Sequence, residues 1–217
     1  MKKVLIFAAL SMVALSATSC EKAKDAVNVA NDDSVGATGI DYQFLSKPAE
    51  VKKWFDEIVV KAGANSKVMY EVTMNVSRPA LEGAIKRKGV KDFLMINIVY
   101  QDNVDKRRVQ EITYNGSYNG WNPAETKEIQ VFGAGKEDFK LEDELFDFGQ
   151  VTAESINKVL ADAMAKYKDD EKYEYQYIQG LDIKKDEISA TIKGKLKSNA
   201  QEKSEYYKAD LQGNLKN

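Results

Sequence analysis

Residues 51–62, VKKWFDEIVVKA, and residues 156–167, INKVLADAMAKY, decide the fold because they are two copies of one helical pattern. In each stretch the apolar residues are separated by four, three, one and three positions, which places them on one face of an α-helix. The first set is Val51, Phe55, Ile58, Val59 and Ala62, and the second is Ile156, Leu160, Ala163, Met164 and Tyr167. The constant offset of 105 residues indicates two copies of one structural unit.

The residues around both stretches support these helices. Pro48 suits the first turn of a helix because its missing N–H has no partner there in any case, and Gly63 is typical of a helix end. Thr152 is a good N-cap for the second helix, and Lys166 and Lys168 complement the dipole at its other end.

Strands are predicted after each helix. The residues Val68, Tyr70, Val72, Met74 and Val76 alternate as in a strand, and the same offset leads to Tyr173, Tyr175, Tyr177, Gln179 and Leu181. Further strands are predicted over Phe93–Tyr100, Arg107–Tyr118 and Glu128–Phe132, and over 188–196 and 207–215. The sequence therefore predicts an α+β fold, αββββ followed by αβββ. We expect the helices to cover one face of the antiparallel sheet and water to contact the other. The first unit is predicted at 40–140 and the second at 141–217.

This tandem element order is similar to that of the β-lactamase inhibitor protein and of the small periplasmic domains grouped with it as PepSY-like. Cystatin-like and other folds with a helix on a curved sheet fit nearly as well. The resemblance implies an open, concave sheet face that is available to a protein partner, and it carries no catalytic role.

The N-terminal segment 1–20, MKKVLIFAALSMVALSATSC, has the layout of an export signal. Its apolar run is short for a spanning helix. The small residues before Cys20, the only cysteine of the chain, resemble the lipobox of bacterial lipoproteins, although Ala17 stands where leucine is most common. The resemblance implies removal of residues 1–19 and a diacylglycerol on the Cys20 thiol, which would anchor the chain to a membrane. The alternative is an ordinary cleaved signal that leaves a free or buried thiol.

Residues 20–39 are polar and small, without a helical stripe or strand alternation, and we interpret them as a lipidated flexible tether. Within this tether, Asp33-Ser34-Val35 resembles the acceptor motif for O-glycosylation in exported proteins of Bacteroidota, so Ser34 is a candidate modification site. The alternative is an unmodified linker.

The composition excludes several classes of function. The chain has 32 basic and 34 acidic residues, which gives no electrostatic reason to expect a nucleic-acid partner. It contains no histidine, so every imidazole-based triad and the commonest zinc ligand are excluded. Nucleotide-binding and hydrolase motifs are also missing. We therefore expect no cofactor and no metal.

Three groups of side chains are candidates for a functional site. Tyr114, Tyr118 and Trp121 in YNGSYNGWNP could contact a partner or a sugar ring, or could close the end of the core. The row Tyr173, Tyr175 and Tyr177, continued by Tyr206 or Tyr207, is interpreted as packing. The acidic group Glu142, Asp143, Glu144 and Asp147, with Asp169, Asp170 and Glu171 further on, is interpreted as solvated surface.

These observations predict a lipid-anchored lipoprotein of the bacterial cell envelope, with the outer membrane favoured, that acts as a non-enzymatic binding domain. Its expected contacts are the membrane, through the lipid, and a protein or polysaccharide partner, reached through the open sheet face and the loop from Tyr114 to Trp121. The alternatives are a carboxylate-dependent hydrolase of envelope glycan and a structural spacer.

Replacing Cys20 by serine tests the predicted anchor. We expect the C20S variant to lose the incorporation of an alkyne-labelled palmitate and to leave the membrane fraction, because no thiol remains to carry the lipid. Labelling and fractionation of both forms in a bacterial host measure this. A C20S variant that fractionates with membranes as the parent does would contradict the anchor.

Overall fold

The computed structural model describes residues 40–79, 91–118, 120–131 and 137–216. The predicted signal at 1–19 and the tether at 20–39, with Cys20 and Ser34, lie outside these ranges, so their roles stay predictions. Two α-helices of 15 residues each, α1 (Pro48–Ala62) and α2 (Ala153–Tyr167), begin 105 positions apart. The helical part of the sequence repeat is therefore confirmed.

The predicted helix ends are also confirmed. Pro48 lies in the first turn of α1, and Gly63 follows the last turn with a φ of 51° and donates its N–H to the carbonyl of Val59. In α2 the Thr152 hydroxyl accepts from the backbone N–H of Ser155 at 3.0 Å, and the Ser155 hydroxyl accepts from the N–H of Thr152 at 3.2 Å. This reciprocal capping box satisfies two donors that the first turn leaves unpaired.

The strands form one antiparallel sheet. They are β1 (Met69–Ser77), β2 (Phe93–Gln101), β3 (Arg108–Asn115), β4 (Gly120–Trp121), β5 (Glu125–Glu128), β6 (Tyr173–Lys184), β7 (Glu187–Leu196) and β8 (Glu202–Ala209). Their order is β4-β3-β2-β1-β6-β7-β8, and β5 also pairs with β3. The pairing of β1 with β6, with Val72 opposite Ile183, joins the two units into a single sheet. The predicted α+β class is confirmed.

Both helices bury their apolar faces on one side of this sheet, where they share one core. Val51, Ile58, Ile156 and Leu160 are fully buried there with the inward rows of the central strands. Val59, which the periodicity assigned to the same face, is 43% exposed. At about 100° per residue Val59 lies roughly 80° around the helix from Val51, at the margin of the stripe.

Three predicted strands have different bounds in the structure. The strand predicted over Arg107–Tyr118 is Arg108–Asn115, because the chain turns after Asn115, whose side-chain oxygen accepts the N–H of Ser117. The short β4 that follows was not predicted, so within the described ranges the first unit has five strands and not four.

The last strand of the first unit is Glu125–Glu128 and not Glu128–Phe132, and Phe132 lies outside the described ranges. The last strand of the second unit starts at Glu202 and ends at Ala209, whereas the alternation had predicted a strand through residue 215. The chain turns instead at Asp210, whose carboxylate accepts the N–H groups of Gln212 and Asn214.

The C-terminal segment, residues 210–216, packs on α2 after this turn. Leu211 is 4% exposed and belongs to the main core. Gly213 has a φ of +81°, and a Cβ at this position would lie 2.9 Å from the carbonyl oxygen of Ser155, so only glycine allows such a close approach. Leu215 makes one bridge to Ala209 and is 51% exposed.

The far face of the sheet is only partly open to water. Val99 and Val109 are buried on that face, since strand neighbours alternate and Ile98 and Tyr100 belong to the helix side. Leu141 completes this smaller cluster, with Tyr70, Ile129, Phe139 and Leu145 packed against it. The expectation of a fully wet face is wrong at this end, because the chain between the two units crosses it.

The outer edge of β8 has partners at two points. The Tyr167 hydroxyl of α2 donates to the carbonyl of Tyr206 at 2.8 Å, and the Lys216 N–H donates to the carbonyl of Lys208 at 3.0 Å. Two acceptors of the edge strand are therefore already occupied.

Truncation of Leu211 tests the packing of the C-terminal segment. We expect Leu211→Ala to lower the free energy of unfolding by about 2–5 kcal/mol, because it removes a buried side chain from the main core. Leu215→Ala in the same segment is the matched control and should cost below about 1 kcal/mol, since its side chain is half exposed. Urea denaturation of both variants measures this, and equal losses would contradict the assigned packing.

Candidate functional site

The three aromatic residues predicted from the loop after β3 lie in different surroundings. Tyr114 is only 7% exposed, Trp121 is half-buried, and Tyr118 at the tip of the β3–β4 hairpin is 78% exposed. Tyr114 pairs with Trp121 across the two strands and contacts the main core on the helix side. This loop therefore does not extend the open sheet face, because the two surfaces lie on opposite sides of the sheet.

A groove of about 550 Å³ runs between α1, the N-terminal segment and this hairpin. We call it the aromatic groove, and its walls include Ile40, Glu50, Lys53, Trp54, Glu57, Tyr114 and Trp121. The ring centres of Trp54 and Tyr114 are 4.5 Å apart, and those of Tyr114 and Trp121 are 5.3 Å apart. The three rings thus form a continuous aromatic wall.

The polar groups of the aromatic groove fix the indole of Trp121 and place cations beside both indoles. The Trp121 Nε1 donates to the Glu57 carboxylate at 3.2 Å. Lys61 lies 5.4 Å from the Trp121 ring and Lys53 lies 5.7 Å from the Trp54 ring. Within the described ranges neither lysine has an ion-pair partner. The groove therefore combines flat apolar surface with charges that can contact a ligand.

The sequence reasoning found Tyr114 and Trp121 but missed Trp54, Lys53 and Glu57. The sequence repeat itself could have identified Trp54. Trp54 corresponds to Val159, which is fully buried in α2, so this position faces inward in both units. A large indole in place of a valine makes this position differ in size and shape between the two copies.

A second cavity of about 460 Å³ lies on the other side of the N-terminal segment, against α2 and β6. Tyr42 and Tyr175 line it next to the guanidinium of Arg78, whose carbon lies 4.0 Å from the Tyr42 ring centre. Arg78 also stacks on Tyr177 at 4.9 Å and donates its Nε to Asp92 at 3.1 Å. This arrangement ties the N-terminal segment to β6, and we interpret it as structural.

The prediction of packing for the tyrosine row of β6 is confirmed only in part, because Tyr175 is half-buried and none of the three β6 tyrosines belongs to the main core. Tyr173 and Tyr177 are buried, and so is Tyr207 on β8, whereas Tyr206 is exposed. The sheet register shifts between Ile178 and Gly180. The bulge brings Ile178 into the main core in place of Gln179, which the alternation had predicted there.

The predicted acidic group is dispersed at the surface. Glu142, Asp143 and Glu144 are exposed in a short 3₁₀ helix, and Asp147 accepts the N–H of Gly149 at 2.8 Å. Asp169, Asp170 and Glu171 are exposed as well. In the described part of the chain, no three carboxylate or cysteine side chains are grouped so that they could hold a metal ion.

The open part of the far sheet face carries a row of polar side chains in register. Thr113, Asn97, Thr73, Asp182 and Ser189 lie side by side on five adjacent strands. Thr73 is 8% exposed, and its hydroxyl has no hydrogen-bond partner among the described residues. Burial raises the pKa of Asp182 above its ordinary value, and the nearby charge of Glu71 raises it further. Glu71 itself is paired with Lys184 at 2.9 Å.

Comparison of the chain with protein-family models, with curated proteins and with solved structures finds no match. Among the described residues, none of the helices has both the length and the apolar character needed to cross a bilayer.

The raised pKa of Asp182 predicts a pH dependence of stability. The folded state holds the Asp182 proton more tightly than the unfolded chain, so stability falls as the pH rises from the ordinary value of 3.8 through the folded pKa. We expect Asp182→Asn to have a higher free energy of unfolding than the parent near pH 7, with the difference vanishing in acid. Urea denaturation between pH 3 and 7 measures this.

The control for net charge is Asp186→Asn, at an exposed turn position of the same β6–β7 hairpin. A loss of stability in Asp182→Asn near pH 7 would contradict the assigned cause of the shift, because it would mean that the carboxylate makes a favourable contact.

Proposed function

We propose that this chain is a lipid-anchored lipoprotein of the bacterial cell envelope whose folded part acts as a non-enzymatic binding domain. The proposal combines the anchor predicted at Cys20 with a binding surface at the aromatic groove. Its partner is a protein or a polysaccharide of the envelope, and the outer membrane is the favoured site.

The observation that carries the binding role is the pair of half-buried indoles, Trp54 and Trp121, which line the groove on either side of the buried Tyr114 ring. Aromatic rings in a concave surface bury much apolar area at a small cost in side-chain entropy, which is why they dominate the energy of many interfaces. The indole of Trp121 is already held by Glu57, so its orientation is set before a partner arrives. Lys53 and Lys61 add charge at the rim.

The position of the aromatic groove relative to the tether fits this role. Ile40 and Asp41, which directly follow the predicted tether, line the groove. A partner bound in the groove would therefore be held next to the point where the tether joins the folded part. The tether length would set how far from the membrane that partner can be caught.

The alternative of a carboxylate-dependent hydrolase of envelope glycan has one observation in its favour. Asp182 has a raised pKa and lies near Glu71 on the neighbouring strand, a combination that acid catalysis can use. We favour binding because these two carboxylates lie on the polar sheet face, on the opposite side of the sheet from the aromatic groove.

Alanine substitution in the groove tests the proposed function. The full-length acylated protein is cross-linked in its own envelope, purified, and its bound protein and polysaccharide are quantified by mass spectrometry and sugar analysis. We expect Trp121→Ala to reduce the captured partner at least about tenfold, as is typical of a central aromatic contact. Tyr118→Ala, at the exposed hairpin tip, should reduce capture without affecting the fold.

The matched control is Tyr206→Ala, which removes an exposed tyrosine from β8, far from the groove in the sheet order. It should capture partner as the parent does. Thermal unfolding of each variant separates loss of binding from loss of fold. Capture that is unchanged in a folded Trp121→Ala variant would remove the groove from the proposal.

A further inference from the structure

The far face of the sheet carries a small polar site where β1 lies beside β6. Thr73 of β1 lies opposite Asp182 of β6, and Asn75, two residues further along β1, lies opposite Gly180. All four positions face away from the helices, because strand neighbours alternate and Met74, between the two β1 residues, belongs to the main core. Three polar side chains and one glycine therefore form the corners of a rectangle on this face.

The glycine corner of this rectangle is covered by the side chain of Asn75. A Cβ at Gly180 would lie 2.3 Å from the Asn75 Oδ1, so the carboxamide reaches across from β1 to β6. Only a glycine leaves room for this oxygen. The Asn75 oxygen and the Asp182 carboxylate are thus placed on the same face of the same strand.

The polar atoms of this site lack hydrogen-bond partners. Thr73 is 8% exposed, and its buried Oγ1 has no partner among the described residues. Within the same ranges, the Asp182 carboxylate and the Asn75 carboxamide make no hydrogen bond or ion pair either. A buried polar group without a partner destabilises a fold, so a ligand that donates hydrogen bonds here restores interactions that the free protein does not make.

The charges around Asp182 leave this carboxylate without a counter-ion. The neighbouring lysine of β6, Lys184, pairs with Glu71 at 2.9 Å, and on the next strand Glu187 pairs with Lys208 at 2.9 Å. Asp182 itself is half-buried and has no ion-pair partner in the part of the chain that the structure describes. The site is therefore complementary in charge to a cation.

The number and arrangement of the oxygens favour one kind of cation. A primary ammonium carries three N–H donors and no acceptor, which matches the carboxylate of Asp182, the Thr73 Oγ1 and the Asn75 Oδ1. Calcium takes about six to eight oxygen ligands, more than these side chains supply. A guanidinium is a planar fork that suits one carboxylate better than acceptors on several sides.

The surroundings of the site favour an ammonium that is carried by a protein. Met95 of β2 lies opposite Asn75 on the same face and is 38% exposed. A lysine side chain holds its ammonium on an apolar stem, which can pack on an exposed methionine while the charged end reaches Asp182. A free small amine is normally bound in a cavity that encloses most of its surface, whereas this site lies on the face of a sheet.

We propose that Asp182, Thr73 and Asn75 form a second binding site, which takes the ε-ammonium of a lysine side chain on a partner protein. The ammonium donates to the three side-chain oxygens, and rotation of the Thr73 or Asn75 side chain uncovers the buried Oγ1 as the lysine enters. The site lies on the opposite side of the sheet from the aromatic groove, so this inference goes beyond the proposed function and does not rest on the groove.

Titration with a lysine derivative, followed by NMR, tests this site. The probe is Nα-acetyl-lysine methylamide, added to the isotope-labelled full chain at pH 7 and constant ionic strength. We expect saturable shifts of the backbone amide signals of Thr73, Asn75 and Asp182. The bound probe should also lower the pKa of Asp182, because an opposite charge favours the carboxylate. The Nε-acetylated form of the probe has no charge and should cause neither change.

Three variants assign the contact. Asp182→Asn should weaken binding of the probe at least about tenfold, the usual cost of losing a charge-assisted hydrogen bond. Thr73→Val keeps the shape of the side chain but removes the hydroxyl, and it should also weaken binding. Asp186→Asn is the matched control, because it removes the same charge at an exposed turn of the same hairpin, and it should bind as the parent does. Thermal unfolding shows that each variant is folded.

Several outcomes would overturn the inference: no saturable shift up to the solubility limit of the probe, equal binding by the acetylated probe or by Nα-acetyl-arginine methylamide, or unchanged binding by a folded Asp182→Asn variant. Shifts of the same signals with calcium chloride, without any for the lysine probe, would also overturn it. Capture from the envelope that depends on Trp121 would then leave the proposed function standing. Lysine binding in a protein whose capture does not depend on Trp121 would remove the groove and leave this site.

Discussion

The pairing of β1 with β6 is the constraint on which the rest of the structure depends. These two strands lie at the centre of the sheet, one from each unit, and their hydrogen bonds merge two helix-plus-strand repeats into a single layer. Because both helices then share one side, their apolar faces bury a common core, with Val51, Ile58, Ile156 and Leu160 as parts of one cluster. The two helices thus cover one common core, and a smaller cluster around Val99, Val109 and Leu141 lies on the far face of the sheet.

The two copies have diverged where the third strand of each ends. In the second unit the chain turns at Asp210 and lays its last residues on α2, which completes the core. In the first unit the chain folds back as β4, and among the described residues Glu50 and Lys53 of α1 stay exposed. Within the described ranges, the aromatic rings beside α1 and a lysine without an ion-pair partner, Lys53, distinguish the groove from ordinary surface.

The sequence predicted the helices, their ends and the class of fold, because these depend on local signals. The stripe beginning at Val51, the proline at 48 and the cap at Thr152 each act within a few residues. The prediction from the sequence failed where long-range packing overrides the local alternation of apolar residues. Residues 210–215 alternate as a strand does, but Gly213 adopts a positive φ to reach Ser155, and the bulge before Gly180 shifts the inward row of β6.

The candidate site could be predicted only in part. Tyr114 and Trp121 stood out as aromatics in a loop, but their partner Trp54 lies in a helical stripe where a large apolar residue is ordinary. That these three rings meet depends on how α1 crosses the end of β3, and no local pattern specifies that crossing. The row of polar side chains that includes Thr73 and Asp182 likewise could not be predicted. It depends on the strand order, in which β1 pairs with a strand that begins about 100 residues later.

The occupied acceptors on the edge of β8 have a consequence for molecules held at high density. Proteins tethered to one surface meet repeatedly in similar orientations, and a bare sheet edge would then recruit the same edge of a neighbour and extend into a continuous ribbon. Here the carbonyls of Tyr206 and Lys208 are already bonded to Tyr167 and Lys216. Two of the carbonyls on this edge are therefore already engaged and are less available to a strand of a neighbouring molecule.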